Sequence, residues 1–207
     1  MIERAASTPG WLVGYLDESW FSRLAQPALS AWTTTAEEKP LGLYEKTLPQ
    51  RDKSARAVAC YGVFVPEREK HEQMLIRFVE GQPVSNVTCA FLDWLAKTLE
   101  QSPNLQKPVR VLVLFWDNAS WHVSREVKDW LRCHNRVARE RGGVRFLPCR
   151  LPTKSPWLNR IEPKWVHAKR AICEPVRILS ATEIMQRLCD YYHCENQEMI
   201  ETKTMPK

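Results

Sequence analysis

One run dictates much of what this chain can become. Residues 109–116 read VRVLVLFW, and apart from Arg110 every position is apolar. A strand with apolar residues at both odd and even positions has to be covered on both faces, as in the middle of a parallel sheet. The run ends directly on Asp117. A helical pattern follows from about Val123 to Arg141, with Ser124 as a candidate cap and Gly142-Gly143 as the terminator. Val144 to Pro148 then form another short strand. Strand, helix, strand in this order implies right-handed crossovers and a partly parallel sheet. In such sheets the functional crevice lies beyond the carboxyl ends of the strands.

The remaining segments extend the same α/β architecture. WLVGYLD (residues 11–17), ARAVACYGVFV (55–65) and MLIRFVE (74–80) read as strands. Residues 18–54 carry prolines, charges and short apolar pieces, which predict irregular structure holding one short strand at most. Val84, Val87, Phe91, Leu92, Leu95 and Leu99 have helical spacing, stopped by Ser102-Pro103-Asn104. Pro156 opens a helix that carries Glu162 and runs to about Ile172. Ser180 caps a last helix from Ala181 to Tyr192, and the polar tail after Asn196 is expected to fray. The sum is a mixed sheet of about five strands flanked by helices.

Composition narrows the function classes. At 207 residues and 44% hydrophobic the chain suits one large domain with a real core. No window approaches 18 consecutive apolar residues, and MIERAASTPG at the N-terminus has no signal-peptide apolar region, so the expectation is a cytoplasmic protein with no membrane partner. The seven cysteines are scattered and form no CxxC pair, which argues against a disulfide framework. No Gly-rich phosphate loop and no GxSxG elbow occurs, which disfavours nucleotide hydrolysis and a serine hydrolase.

The net charge is +6, and its placement matters more than its size. Arg145, Arg150, Lys154, Arg160, Lys164, Lys169 and Arg170 fall in one stretch around Glu162, interleaved with Trp157 and Trp165. Basic residues with aromatics make a phosphate-contacting surface. The other reading is a solvated helix face. The two tryptophans, like Trp116 and Trp121, are assigned mainly to packing.

Three acids carry the chemistry. Asp17 and Asp117 each end an apolar run, and Glu162 stands near a helix start. If the two strands are neighbours, the two aspartates face each other, and like charges that close repel unless a cation intervenes. Mg²⁺ takes hard oxygen ligands and keeps waters for substrate phosphates, and with Glu162 as a third carboxylate two adjacent ions can drive an in-line phosphoryl displacement. Each acid also has an ordinary reading: Asp117 as a turn residue or cap, Glu162 as an acid favoured by the helix dipole, and Glu18 as the ligand in place of Asp17. Asp17 is preferred because it sits at the end of the run while Glu18 points the other way. Asn118 and His122 either contact a phosphate or a metal-bound water, or cap and pack the turn.

The strings LDESWF, VLFWDNASWHVS and LPTKSPWLNRIEPKW, in that order, resemble the three catalytic motifs of the DDE transposases. The likeness is to the bacterial insertion-sequence branch of the mariner-like superfamily, the DDE superfamily endonucleases. It covers residue 11 to about residue 175. The resemblance implies an RNase H-like fold, with Asp17, Asp117 and Glu162 binding two Mg²⁺ or Mn²⁺ ions for transposon-end cleavage and strand transfer. It implies DNA as partner, both transposon ends and target, and a homodimer on that DNA. Asn118, His122, Lys154, Arg160, Lys164, Lys169 and Arg170 are the expected DNA-binding set. The domain plan is an extension (1–10), a catalytic domain (11–175) and a C-terminal helix and tail (176–207).

Two departures stand out. Arg160 replaces the family's usual proline in LNRIE, so it either shifts Glu162 or adds a phosphate contact. Family members carry helix-turn-helix domains ahead of the first strand, where this sequence has ten residues. The expectation is therefore a chain that works with a separate helix-turn-helix chain, or a non-catalytic DNA-binding remnant.

Overall fold

A computed structural model describes residues 2–26, 46–68, 71–101, 108–153 and 155–201. The order of elements is α1 (Ile2–Ser7), β1 (Trp11–Ser22), β2 (Ala57–Arg68), β3 (His71–Glu80), α2 (Ser85–Glu100), β4 (Val111–Trp116), α3 (Ser120–Val123), α4 (Arg125–Arg141), β5 (Arg145–Arg150), α5 (Glu162–Ile172), α6 (Ala181–Tyr192) and β6 (Ile200–Glu201). The six strands form one mixed sheet in the order β5-β4-β1-β2-β3-β6. β5, β4 and β1 are mutually parallel, β2 is antiparallel to both its neighbours, and β6 pairs parallel with β3.

The VLVLFW run is a central strand for the reason its composition gives. Leu112, Leu114 and Trp116 pack into the core beneath α2 and α4. Val111 and Val113 face the other way, with Ala5 of α1. On that second face α5 and α6 bury Trp165, Ala168, Ile172, Ile184 and Leu188 against Tyr15, Phe21, Cys60 and Phe64. Alternation along β1 divides its residues the same way: Leu16 joins the first core, Tyr15 and Phe21 the second.

Several boundaries differ from the sequence expectation. β1 does not stop at Asp17 but runs on to Ser22, because β2 supplies an antiparallel partner from Tyr15↔Phe64 to Ser22↔Ala57 after the pairing with β4 ends at Tyr15↔Phe115. Asp17 is therefore inside a strand, not at its tip. The helix expected from Val123 is two helices broken at Ser124, whose hydroxyl accepts from Val127 N–H and caps α4; Gly142, at φ 77, ends it. The helix expected from Pro156 is a single 3-10 turn (Pro156–Leu158), then an extended Asn159, and α5 begins only at Glu162. The tail expected to fray contributes β6, making six strands instead of five. The short strand allowed for in residues 18–54 falls partly on residues 27–45, outside the described residues.

One glycine positions the site. Gly62 of β2 stands opposite Asp17, and a Cβ there would lie 2.5 Å from the Trp165 ring of α5. The missing side chain lets the ring edge of Trp165, itself buried, come close to β2 and seat the helix that carries Glu162 beside Asp17. Gly62→Ala should cost about 1–3 kcal/mol through overpacking. Urea denaturation checks this, and a variant as stable as wild type would contradict the seating of α5 described here.

Candidate active site

The two aspartates meet because β1 and β4 are parallel and in register. Tyr15 pairs with Phe115, so Asp17 and Asp117 both lie two residues beyond the last shared pair. β1 continues past this point on β2 alone, whereas β4 ends, so Asp17 borders the space that the missing strand leaves. There it shares a cleft of about 560 Å³ with Asp117, Asn118, Asn159 and Glu162, and with Leu151, Pro152, Thr153, Ser155 and Pro156. The three acids named by the sequence, from three separate stretches, thus line one cleft.

Their electrostatics differ. Burial, then the neighbouring charges of Glu18, Glu162 and Asp117, push the Asp17 carboxyl up to about 8 from an ordinary 3.8. Asp117 is held below the usual carboxylate range, chiefly by a hydrogen bond from His122. Its Oδ1 accepts both from His122 Nδ1 (2.7 Å) and from the Ala119 N–H (2.9 Å). The other ring nitrogen of His122, Nε2, donates to Glu18 Oε1 at 2.6 Å, and Trp121 Nε1 donates to the same oxygen at 3.3 Å. Burial opposes charge on His122, but the two carboxylates outweigh it and raise the imidazole to about 9. Trp116 stacks on the His122 ring at 5.1 Å and 6°.

The other expected site residues divide by place. His122 is buried with both nitrogens engaged, so it packs the turn instead of facing a phosphate. Asn118 lines the cleft, and its Nδ2 donates to the Leu151 carbonyl at 2.7 Å, tying the end of β4 to the chain leaving β5. Arg160 lies over the Tyr15 and Phe64 rings, at 5.7 and 5.9 Å. Lys164 sits over Phe64 at 4.6 Å and is ion-paired with Glu72. Lys169 lies over Phe21 at 5.7 Å, and Arg170 is exposed. Lys154 lies outside the described residues. Of the tryptophans, Trp116 and Trp165 are buried, but Trp157, expected to pack, is 75% exposed, because the 3-10 turn carrying it ends before a helix can seat it.

Sequence reasoning missed two residues. Asn159 is buried beside the cleft; its Nδ2 donates to the Leu16 carbonyl at 3.1 Å, clamping the approach to α5 onto β1 next to Asp17. It stands inside the quoted string SPWLNRIE, so the signal was present. From sequence Glu18 stands only as the alternative ligand to Asp17, and nothing in the spacing of His122, four residues beyond Asn118, signals that the two meet.

The donor set fits a hard divalent cation. Three carboxylates line the cleft, Asp17 is crowded by like charge, and the buried Asn159 Oδ1 has no hydrogen-bond partner. Among the described residues no three His, Cys, Asp or Glu side chains are already grouped closely enough to hold an ion. Mutual repulsion of carboxylates accounts for an open arrangement.

A family model described as DDE superfamily endonuclease matches residues 51–184, well over half of the chain. The chain belongs to the DDE superfamily endonucleases. Asp117 and Glu162 lie within the matched segment; Asp17 lies ahead of it. Solved structures agree on the fold. The Mos1 transposase paired-end complex with left transposon end superposes with a TM-score of 0.60 at 15% identity, covering 94% of this chain and 52% of that one. The Mos1 mariner paired end complex with Mn gives 0.59 at 16%, with 94% and 52% covered. The catalytic domain of Mos1 mariner transposase gives 0.52 at 16%, with 94% and 76% covered. The fold is thus the RNase H-like fold of a transposase catalytic domain, and the chain spans about half the length of the longer transposases. No curated protein matches. No helix among the described residues is long and apolar enough to cross a membrane.

Both perturbed groups bind protons more tightly folded than unfolded. The stability linked to protonated Asp17 is present below about pH 4 and lost as pH rises toward 8; that linked to His122 is present below about 6.5 and lost toward 9. The metal-free protein should therefore lose thermal stability across this window. Asp17→Asn should flatten the acidic part of the decline and raise stability at pH 8 by on the order of 1 kcal/mol. Melting curves from pH 4 to 9 in chelator test this; an unchanged profile in the variant would show that Asp17 is not the crowded carboxyl.

Proposed function

We propose that this chain is the catalytic domain of a transposase that cleaves DNA at transposon ends and transfers the freed strand to target DNA, using divalent metal ions. The observation that carries the proposal is the convergence of Asp17, Asp117 and Glu162 on one open cleft. Family membership supports nuclease chemistry in general; the finer assignment rests on these acids. The chemistry is displacement at phosphorus: water, and later a DNA 3′-hydroxyl, gives up a proton as it attacks the phosphate, a P–O bond of the backbone breaks, and the leaving oxygen takes up a proton. Bound at the three carboxylates, two Mg²⁺ or Mn²⁺ ions supply Lewis-acid stabilisation of the charge that develops at that phosphate.

The chain's own residues have separate tasks in this reading. Asp17, Asp117 and Glu162 present the oxygens. Asn118 and Asn159 hold the cleft walls in place through their bonds to Leu151 and Leu16. Arg160, Lys164, Lys169 and Arg170, on or just before α5, attract the DNA backbone, and Lys154, outside the described residues, is proposed to join them. The ion pair of Lys164 with Glu72 is exposed enough to exchange for a phosphate. We further propose the domain plan given above, a homodimer on DNA, and end recognition by helix-turn-helix segments, whether on the same polypeptide or another.

Nicking of transposon-end DNA in Mn²⁺ is the direct test. Asp117→Ala and Glu162→Gln should both fall to background, at least about 10³-fold below wild type, while Glu162→Gln melts within a few degrees of wild type because it removes one of several crowded anions. Equal nicking by wild type and Asp117→Ala would sink the proposal. DNA binding that falls steeply with salt but yields no cleavage in any metal would favour the non-catalytic remnant instead.

A further inference from the structure

We infer that Glu18 is a positioning residue that acts through His122 on Asp117 and fixes which oxygen of that carboxylate is left to meet a cation. The inference rests on the metal-dependent reading above. Period-two alternation turns Glu18 to the face of β1 opposite Asp17, where its side chain is 8% exposed and that of His122 is fully buried. A carboxylate so placed is costly unless paired, and His122 Nε2 pairs with it at 2.6 Å. The same ring spans to the end of β4, where Nδ1 reaches Asp117 Oδ1 at 2.7 Å.

Two contacts restrain this bridge. Trp116 stacks flat on the His122 ring, which fixes its plane. Trp121, the residue before His122, donates to the same Glu18 oxygen, so α3 holds Glu18 from two successive side chains. Tyr61 stands directly opposite Glu18 on β2. Asp117 Oδ1 thus receives two donors, from His122 and Ala119, and among the described hydrogen bonds none reaches Oδ2. The consequence is an asymmetric carboxylate: Oδ1 is consumed in orientation and Oδ2 is free for the cleft. Glu18 adjoins Asp17 in sequence, so the bridge also pins the strand segment bearing the first aspartate to the loop bearing the second. A carboxylate–histidine pair behind a metal-binding group sets its orientation and basicity.

Mn²⁺ binding to the full chain, read by titration calorimetry without DNA, tests this apart from cleavage. Glu18→Ala and His122→Ala should each weaken binding about 10–100-fold, and the double variant should be no worse than the weaker single one, because both act along one route. Glu18→Gln keeps an acceptor oxygen for His122 Nε2 and should recover most of the loss. Wild-type affinity in Glu18→Ala, a Glu18→Gln as weak as Glu18→Ala, or additive losses in the double variant would each overturn the inference. If Glu18→Ala does not fold, His122→Asn against His122→Ala carries the test: Asn retains a donor toward Asp117 and must bind Mn²⁺ more tightly than Ala, and equal affinities overturn the inference. Asp117→Ala separates the two levels. Should it bind Mn²⁺ like wild type, the metal reading itself fails; should it lose binding while Glu18→Ala does not, only the role of Glu18 fails.

Discussion

Parallel, in-register pairing of β1 with β4 is the constraint on which the site depends. Five consecutive pairs, Trp11↔Val111 through Tyr15↔Phe115, align two strands that lie about a hundred residues apart in sequence. From that seam the positions of Asp17 and Asp117 follow without further adjustment. Shifting the register by one residue would turn Asp17 toward α3 and bring Glu18 to the cleft. The seam is held by the two cores it separates, since Leu16, Leu112 and Leu114 are buried on one face and Tyr15, Val113 and Phe115 pack on the other.

The two faces of β1 then take on different work. Asp17 faces the α5 side, where Gly62 leaves room for Trp165 and so for the start of α5 with Glu162. Glu18 faces the α3 side, where it meets His122. Adjacent residues of one strand therefore serve the cleft and its support. The charge pattern matches this division: Asp17 is crowded by acids with no cationic partner among the described residues, while in the Glu18–His122–Asp117 chain one imidazolium stands between two carboxylates. A buried group short of countercharge beside a group that is fully braced is the kind of imbalance expected where a ligand completes the electrostatics.

The basic surface is more modest than its sequence suggests. Arg160, Lys164 and Lys169 each set the charged end of the side chain over an aromatic ring of the sheet, as cation–π contacts. Arg160, in place of the family's proline, is accommodated over Tyr15 and Phe64 while α5 still begins at Glu162. Part of the positive charge around Glu162 thus does structural duty at rest.

The local alternation of apolar residues made the central strand, the crossover helix and the capped last helix legible from sequence, because these are decided by neighbours within a few positions. The three acids were legible as well, through the order of the motifs that contain them. What sequence misjudged were matters settled by a partner strand or a distant side chain. β1 continues past Asp17 because β2 pairs with it; β6 exists because β3 offers an edge; Trp157 stays exposed because the chain turns at Asn159 to reach Leu16. Of the two readings open for His122, phosphate contact or packing of the turn, its burial and its bonds to Glu18 and Asp117 fit the packing one. Sequence alone determined the α/β fold class and named the three acids that line the cleft, since both follow from patterns written along the chain. Only the tertiary structure decided which oxygen of Asp117 is engaged, because that depends on hydrogen bonds between Glu18, His122 and Asp117, spread over a hundred residues and joined by the closure of one sheet.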